Sequence, residues 1–251
     1  MALTFLITII LGVVEGLTEF APVSSTAHLL ITGHLYTIPP SAFFNTFVVS
    51  IQSGAVLAAI IFFSKTLWGN LSLIPKIIVG FIPTAIAGIL LNSLVSKLFT
   101  NNLIIGIALI AGGIILLFLK PVDTDSDIKA ISYKEAFIIG CTQILAFIPG
   151  VSRSGATLIG GTLLKIPRSQ IVVFSFLLGI PTILGAGVLE LNSIAHLSGP
   201  QWSLIALGTI TAFVTALLTM KWFINILTKK PLSWFGWYRI IIGIVVLIFI
   251  K

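Results

Sequence analysis

Long runs of apolar residues dominate the chain, and they predict its membrane-crossing helices. Six runs approach the roughly 20 residues that an α-helix needs to cross a bilayer. Only one of these runs includes a charged residue, Arg239, near the start of the last run. The six predicted spans cover residues 43–63, 77–94, 103–119, 171–189, 203–220 and 234–250.

Two further apolar regions are interrupted in the middle by polar residues and helix breakers. In each region, a first apolar half is followed by proline, which ends a helix, and by serine or threonine, which caps the next one. Each half has only about 13 residues, too few to cross the bilayer. We predict re-entrant helical hairpins at residues 2–35 and 136–164, because irregular backbone at membrane depth must line a cavity or be surrounded by protein. A kinked full-length helix is the alternative for each region.

The two interrupted regions resemble each other, which predicts an internal repeat. With one-residue gaps allowed, Gly12 aligns with Gly140, Glu15 with Gln143, and residues 24–27 with residues 152–155. Three spans follow each hairpin, so the second half must be inverted relative to the first. The prediction is an all-α polytopic membrane protein of six transmembrane helices and two re-entrant hairpins, with the site near the midplane between the repeats. The first repeat covers residues 1–121, the linker 122–129 and the second repeat 130–251.

The amino-acid composition indicates that the chain is surrounded by lipid rather than by water. Hydrophobic residues make up 57% of the chain and charged residues 8%, against roughly 25% charged residues in soluble domains. A soluble enzyme, a disordered tail and a nucleic-acid-binding domain are therefore excluded. The net charge of +7 indicates membrane topology instead, because cytoplasmic loops are enriched in lysine and arginine.

Basic residues are divided unequally between the two predicted sides of the membrane. Lys97 and Lys251 lie on the side that carries both termini, and Arg153 lies within a hairpin. The side that carries the linker is predicted to be cytoplasmic, so both termini and the opening of the first hairpin face outward. The eleven basic residues on the cytoplasmic side are Lys65, Lys76, Lys120, Lys129, Lys134, Lys165, Arg168, Lys221, Lys229, Lys230 and Arg239.

Two acidic residues stand out because their surroundings are apolar. Glu15 and Glu19 lie within the first hairpin, and their four-residue spacing puts both carboxylates on one helix face. A charge at membrane depth costs at least roughly 2.5–3.5 kcal/mol and indicates a functional site. Two adjacent carboxylates repel, so a cation, a shared proton or an arginine must offset them. The other acids are Asp123, Asp125, Asp127 and Glu135, in or beside the linker, and Glu190 at the end of a span.

Both hairpin tips have the chemistry of a phosphate-binding site. Each tip starts a helix, whose N-terminal N–H groups favour anions, and Arg153 offers a bidentate fork for phosphate. His28 follows Ser25 by three residues, so the two share a helix face. The residues predicted to bind phosphate are Ser24, Thr26, Ser152, Arg153, Ser154 and Thr157.

These motifs resemble those of a known family. Residues 15–28 (EGLTEFAPVSSTAH) and 149–157 (PGVSRSGAT) are similar to the two signature motifs of the undecaprenyl-diphosphate phosphatases, the bacitracin-resistance family. The similarity extends along the chain, through residues 51–55 (IQSGA) and 174–181 (FSFLLGIP). Ala27 and Ser53 stand where other members often have glycine and leucine.

The resemblance implies hydrolysis of undecaprenyl diphosphate to the monophosphate at the outer face of a bacterial plasma membrane. This reaction recycles the carrier lipid for peptidoglycan synthesis and gives bacitracin resistance. We expect Ser25 to be the nucleophile, with His28 as its base or as acid to the leaving group. In a rival mechanism, His28 is the nucleophile or activates water.

Glu15 and Glu19 are suited to bind Mg²⁺ or Ca²⁺, and Glu19 is alternatively placed to orient His28. The expected partners are the lipid diphosphate and the bilayer, without nucleic acid. A homodimer is compatible with the sequence, although no motif demands one. A transporter or flippase of polyprenyl phosphate lipid is the alternative function, because transporters often contain inverted repeats with broken helices.

Overall fold

The computed structural model describes residues 3–98, 101–122, 131–190 and 195–250, without the side chains of residues 92–97. This part of the chain folds into α-helices, with one short 3₁₀ segment at Ile144–Phe147. The predicted linker acids Asp123, Asp125 and Asp127 lie outside the described residues. The helices are α1 Phe5–Thr18, α2 Ser25–Leu35, α3 Ala42–Gly69, α4 Leu73–Leu98, α5 Asn102–Phe118, α6 Tyr133–Gln143, α7 Arg153–Leu163, α8 Arg168–Leu189, α9 Gly199–Lys229 and α10 Ser233–Phe249.

Four of these helices are long and apolar enough to cross a membrane. They are α3, the Leu73–Leu91 part of α4, α8 and α9. The helices α5 and α10 coincide with two further predicted spans, but each has only 17 residues, or about 26 Å at 1.5 Å per residue. The protein is therefore an all-α, multi-pass membrane protein, and the total of six spans stays a prediction.

The two interrupted regions each form a pair of short helices. The helix α1 has 14 residues, and α2, α6 and α7 have 11 each. Each is shorter than the roughly 20 residues that a span requires. The helix α1 packs against α2, and α6 packs against α7, as expected if each pair is a hairpin.

Glycines let the helices α5 and α10 approach closely. A Cβ atom on Gly113 would lie 2.7 Å from the Gly236 carbonyl oxygen, and one on Gly243 would lie 2.9 Å from that of Gly106. Small residues allow this kind of backbone contact in membrane interiors. Arg239 lies on α10 between these two contacts, so the close packing carries its side chain into the protein.

The remaining helices bring the two hairpins together. The helix α1 packs against α9, α6 packs against α4, and α3 lies between α8 and α9. Phe20, just after α1, packs against Phe176 of α8 with ring centroids 4.8 Å apart. The ends of both hairpins consequently meet inside the helix bundle.

Candidate active site

Two serines with the same positive φ lie at the hairpin tips. Ser24 and Ser152 both have φ of 71°, in the left-handed region that side chains rarely adopt. Each is an N-cap: the Ser24 hydroxyl accepts from the Ala27 N–H at 3.4 Å and the Ser152 hydroxyl from the Gly155 N–H at 3.1 Å. The helices α2 and α7 therefore begin at the tips, as the sequence predicted.

Glu19 connects Ser25 to Arg153 across the two tips. The Ser25 hydroxyl donates to Glu19 Oε2 at 2.6 Å, and Arg153 Nη2 donates to Glu19 Oε1 at 2.9 Å. All three side chains are largely buried: Ser25 is 8% exposed, and the Glu19 and Arg153 side chains are 6% and 10% exposed. The carboxylate is placed to accept the serine proton while the guanidinium offsets its charge.

Arg153 is held in place from three directions. Its Nη1 donates to the Ser175 carbonyl oxygen at 2.9 Å, and its Cζ lies 5.6 Å from the centre of the Phe20 ring. The absence of a side chain at Gly179 makes room for the guanidinium. Its Nε–H is buried and has no acceptor among the described residues. The guanidinium therefore keeps donor capacity beyond its ion pair with Glu19.

A cavity of about 150 Å³ lies between the tips. Glu19 and Ser25 line it from the first hairpin and Arg153 from the second. Gln52 of the first long span, Thr84 of α4 and other residues complete its walls. The lining comprises Glu19, Ser24, Ser25, Thr26, Val49, Gln52, Thr84, Gln143, Ala146, Phe147, Pro149, Gly150, Ser152, Arg153, Thr182, Ile183 and Ala186.

The six residues predicted to bind phosphate fall into two groups. Ser24, Thr26, Ser152 and Arg153 line the cavity. Ser154 and Thr157 are fully buried, and their hydroxyls serve the protein itself. The Ser154 hydroxyl donates to the carbonyl oxygen of Ala21 in the other tip at 2.9 Å. The Thr157 and Ser175 hydroxyl oxygens are hydrogen-bonded at 2.6 Å.

Glu15 lies beside Glu19 without a donor of its own. Its side chain is completely buried, and neither carboxylate oxygen has a hydrogen-bond donor among the described residues. A buried carboxylate in this state requires a cation or a proton. Two carboxylates are ligands that Mg²⁺ and Ca²⁺ accept, and Mg²⁺ commonly keeps several waters or substrate phosphates as its other ligands. Within the described residues, no three acids, histidines or cysteines form a metal cluster.

His28 has different partners from the predicted one. Its Nδ1 lies 2.8 Å from the Ser24 carbonyl oxygen, and its Nε2 lies 2.7 Å from the Tyr238 hydroxyl. A carbonyl oxygen only accepts, so Nδ1 carries a hydrogen, and in a neutral ring Nε2 accepts from Tyr238. The His28 and Tyr238 rings are parallel, 5.5 Å apart. Glu19, rather than His28, is therefore the immediate partner of Ser25.

Arg239 is the residue that sequence reasoning misplaced. Its position near the start of the last span predicted an interfacial, cytoplasmic residue, but its side chain is 0% exposed. The guanidinium donates to backbone carbonyls of both tips and of α5. Close packing of α5 and α10 accounts for this depth. The sequence feature that could have identified Arg239 as a buried residue is its position as the one charge within an apolar run.

Gln143 is a second polar residue at the site that sequence reasoning did not assign to it. It aligns with Glu15 in the predicted repeat, is completely buried and lines the cavity. Its amide nitrogen donates to the hydroxyls of Thr84 and Thr182 at 2.8 and 2.9 Å. The alignment with Glu15 would have identified it.

Comparison with known proteins assigns the family. A family model described as "Bacitracin resistance protein BacA" matches residues 8–245. Undecaprenyl-diphosphatase of Aquifex aeolicus is 42% identical over 94% of this chain and 95% of its own length. Undecaprenyl-diphosphatases of Persephonella marina and Rhizorhabdus wittichii are 41% and 35% identical, over 97% and 100% of this chain and 98% and 99% of their own lengths. The chain therefore belongs to the bacitracin resistance protein BacA family.

Proposed function

We propose that this membrane protein is a phosphatase that converts undecaprenyl diphosphate to undecaprenyl phosphate and inorganic phosphate. Its similarity to undecaprenyl-diphosphatases over nearly the whole chain supports this function. The observation that carries it is the 2.6 Å hydrogen bond from Ser25 to Glu19 beside Arg153. This arrangement combines a nucleophile, a base and a phosphate-binding cation at one cavity.

In the proposed mechanism, Glu19 accepts the Ser25 proton as the serine Oγ attacks the terminal phosphorus. The bridging P–O bond breaks, and undecaprenyl phosphate leaves. Water then attacks the phosphoserine, Glu19 returns its proton to Ser25, and phosphate departs with both hydrogens of the water. Arg153 and the two helix N-termini stabilise the charge on the transferring phosphoryl group.

The partners of His28 bear on the choice of nucleophile. Both ring nitrogens are engaged, by the Ser24 carbonyl and the Tyr238 hydroxyl. In the proposal, His28 stabilises the strained Ser24 backbone next to the nucleophile. The rival in which His28 is the nucleophile, or activates water, requires it to release the hydrogen bond from Tyr238.

A divalent cation is part of the proposal. Glu15 would hold it with its two buried, donor-free oxygens, and Glu19 would contribute a further ligand. When bound, Mg²⁺ or Ca²⁺ would neutralise charge on the diphosphate oxygens. Because Glu19 is already paired with Arg153, Glu15 would be the main ligand.

We also propose six spans, two re-entrant hairpins and an inverted repeat. The equivalences at a constant separation of 128 residues support the repeat. Ser24 and Ser152 share their φ, as Thr37 and Lys165 share positive φ values of 51° and 56°. The hydrogen bond from Ile38 N–H to Gly33 O recurs from Ile166 to Gly161.

The proposal places the site opening and both termini at the outer face of the bacterial plasma membrane. There the enzyme would recycle the carrier lipid for peptidoglycan synthesis and confer bacitracin resistance. The excess of basic residues on the linker side supports this orientation. A single chain supplies both tips and the cavity walls, so the proposed activity does not depend on a homodimer.

The test is phosphate release from a polyprenyl diphosphate by purified protein in detergent. We expect turnover by the wild type, loss in Ser25→Ala, and unchanged turnover in Ser64→Ala, where the exposed hydroxyl donates to the Ile61 carbonyl on α3. With a labelled terminal phosphate, one sample is quenched in acid, which preserves phosphoserine, and one in alkali, which preserves phosphohistidine, and we expect label on serine only. Substantial turnover in Ser25→Ala, or label on histidine, would contradict the assigned nucleophile. A protein that binds the lipid but releases no phosphate would support a transporter instead.

A further inference from the structure

Arg239 satisfies all five of its N–H groups with backbone carbonyl oxygens. Nη1 donates to the carbonyls of Pro22 and Val151 at 3.0 and 2.8 Å. Nη2 donates to those of Gly150 and Ala108 at 2.8 and 3.2 Å, and Nε to that of Leu109 at 3.3 Å. One side chain therefore joins both hairpin tips to α5.

The direction of these hydrogen bonds matters for an anionic substrate. The C=O and N–H groups of a trans peptide point in opposite directions. Because the Val151 carbonyl points to Arg239, the N–H of Ser152 points the other way, and Ser152 lines the cavity. Three of the five carbonyls, those of Pro22, Gly150 and Val151, belong to the hairpin tips. The guanidinium therefore also offsets the negative ends of these peptide dipoles close to the place where phosphate would bind.

We propose that Arg239 is a positioning residue that holds the two tips in the relative position that phosphoryl transfer requires. It lies outside the cavity lining and acts through the tips that carry Ser25 and Arg153. This inference rests on the proposed phosphatase function. A displacement of about 1 Å in a positioning element is enough to slow catalysis roughly 100-fold, so loss of this link should reduce kcat far more than it changes KM.

The surroundings of Arg239 offer a variant that disturbs it without removing it. A Cβ atom on Gly112 of α5 would lie 2.8 Å from the guanidinium carbon. Gly112→Ala should therefore displace the guanidinium from its carbonyl acceptors, although Arg239 keeps all five of its N–H donors. Gly187→Ala is the matched control, since a Cβ at Gly187 in α8 meets nothing within 4 Å.

The experiment measures kcat, KM and melting temperature for Arg239→Ala, Arg239→Lys, Gly112→Ala and Gly187→Ala in detergent. We expect kcat to fall about 100-fold in Arg239→Ala, less in Arg239→Lys, and at least about tenfold in Gly112→Ala. Gly187→Ala should behave like the wild type. Added guanidinium ion, but not ammonium, should restore part of the activity of Arg239→Ala, because only the planar fork reaches several carbonyls at once.

Two outcomes would overturn the inference. One is wild-type kcat in Arg239→Ala. The other is a loss of activity that follows a lower melting temperature, without rescue by guanidinium and with Gly112→Ala fully active. Ser25→Ala in the same assay separates the two proposals: if it is inactive while Arg239→Ala is fully active, the phosphatase function stands and the positioning role fails.

Discussion

The Glu19 carboxylate and the Arg153 guanidinium form a 2.9 Å ion pair between the two hairpins. Since the other Glu19 oxygen accepts the Ser25 hydroxyl, the pair links the predicted nucleophile to the predicted phosphate ligand. A diphosphate entering the cavity would compete with Glu19 for Arg153.

We expect Glu19→Gln to remove the base but leave a neutral acceptor for Ser25. Turnover should fall by about 10²–10⁴, the range that general-base catalysis contributes. Steady-state phosphate release would measure it. Glu190→Gln is the matched control, because this acid ends α8, where it accepts from the Thr46 hydroxyl at 3.3 Å. Near-wild-type turnover in Glu19→Gln would refute the assigned base.

Arg153→Lys tests the shape of the phosphate ligand at constant charge. Lysine cannot donate to Glu19, Ser175 and phosphate with the same planar geometry. We expect a loss of at least about tenfold in kcat/KM, a free-energy difference of about 1.4 kcal/mol in transition-state binding. A lysine variant with unchanged kcat/KM would reduce the role of Arg153 to that of a point charge.

Glu15→Gln tests the proposed cation site. Removing the charge of the main ligand should raise the divalent concentration needed for half-maximal activity at least about tenfold, within the range seen for altered metal sites. Chelation with EDTA should abolish wild-type turnover, and Mg²⁺ or Ca²⁺ should restore it. As an independent readout, Mg²⁺ should raise the melting temperature of the wild type but not of Glu15→Gln. Equal metal responses in the two proteins would exclude Glu15 as a ligand.

Tyr238→Phe tests the hydrogen bond that fixes the His28 ring. The variant keeps the parallel ring contact but loses one hydrogen bond, worth about 1 kcal/mol, so turnover should fall only about fivefold. Nitrogen NMR of labelled histidine, in a background of His34→Gln and His196→Gln, should show the Nδ1–H form in the parent protein. An Nε2–H form would contradict the hydrogen-bond assignment.

Gly54→Ala tests helix packing rather than chemistry. A Cβ on Gly54 of α3 would lie 2.9 Å from the Phe213 backbone nitrogen and closer still to the Thr209 carbonyl of α9. Overpacking of this kind costs about 1–3 kcal/mol, so the melting temperature should fall. Gly69→Ala, at the open end of the same helix, should leave it unchanged. Similar melting temperatures for the two variants would argue against the α3–α9 contact.

Sequence reasoning pointed to the candidate site because charged residues are rare in this chain. Most other charged residues were assigned to loops or to the membrane–water interfaces, whereas Glu15, Glu19 and Arg153 lie within the apolar hairpins. The structure brings Glu19 and Arg153 together. The helical spacing of Ser25 and His28 did not reveal that Glu19, just after α1, accepts the Ser25 hydroxyl. Side-chain periodicity within one helix carries no information about such a contact.

Arg239 shows a different limit of prediction. Its acceptors are main-chain carbonyls, which every residue type provides. The types of the residues that it contacts therefore do not reveal its hydrogen bonds. Its depth results from the glycine contacts between α5 and α10. Long apolar runs predicted these helices, but not how closely two of them pack or which side chain that packing buries.

The matched tips also separate architecture from reactivity. Both halves share the capping serines, but Glu15 corresponds to Gln143 and Ser25 to Arg153 at the common separation of 128 residues. Positive φ values thus recur in the two halves, whereas the reactive groups are divided between an acidic half and a basic half. An engineered exchange of residues 15–28 with residues 143–156 would reassemble the same groups in opposite order, and Arg239, which binds only carbonyls, would accept either arrangement.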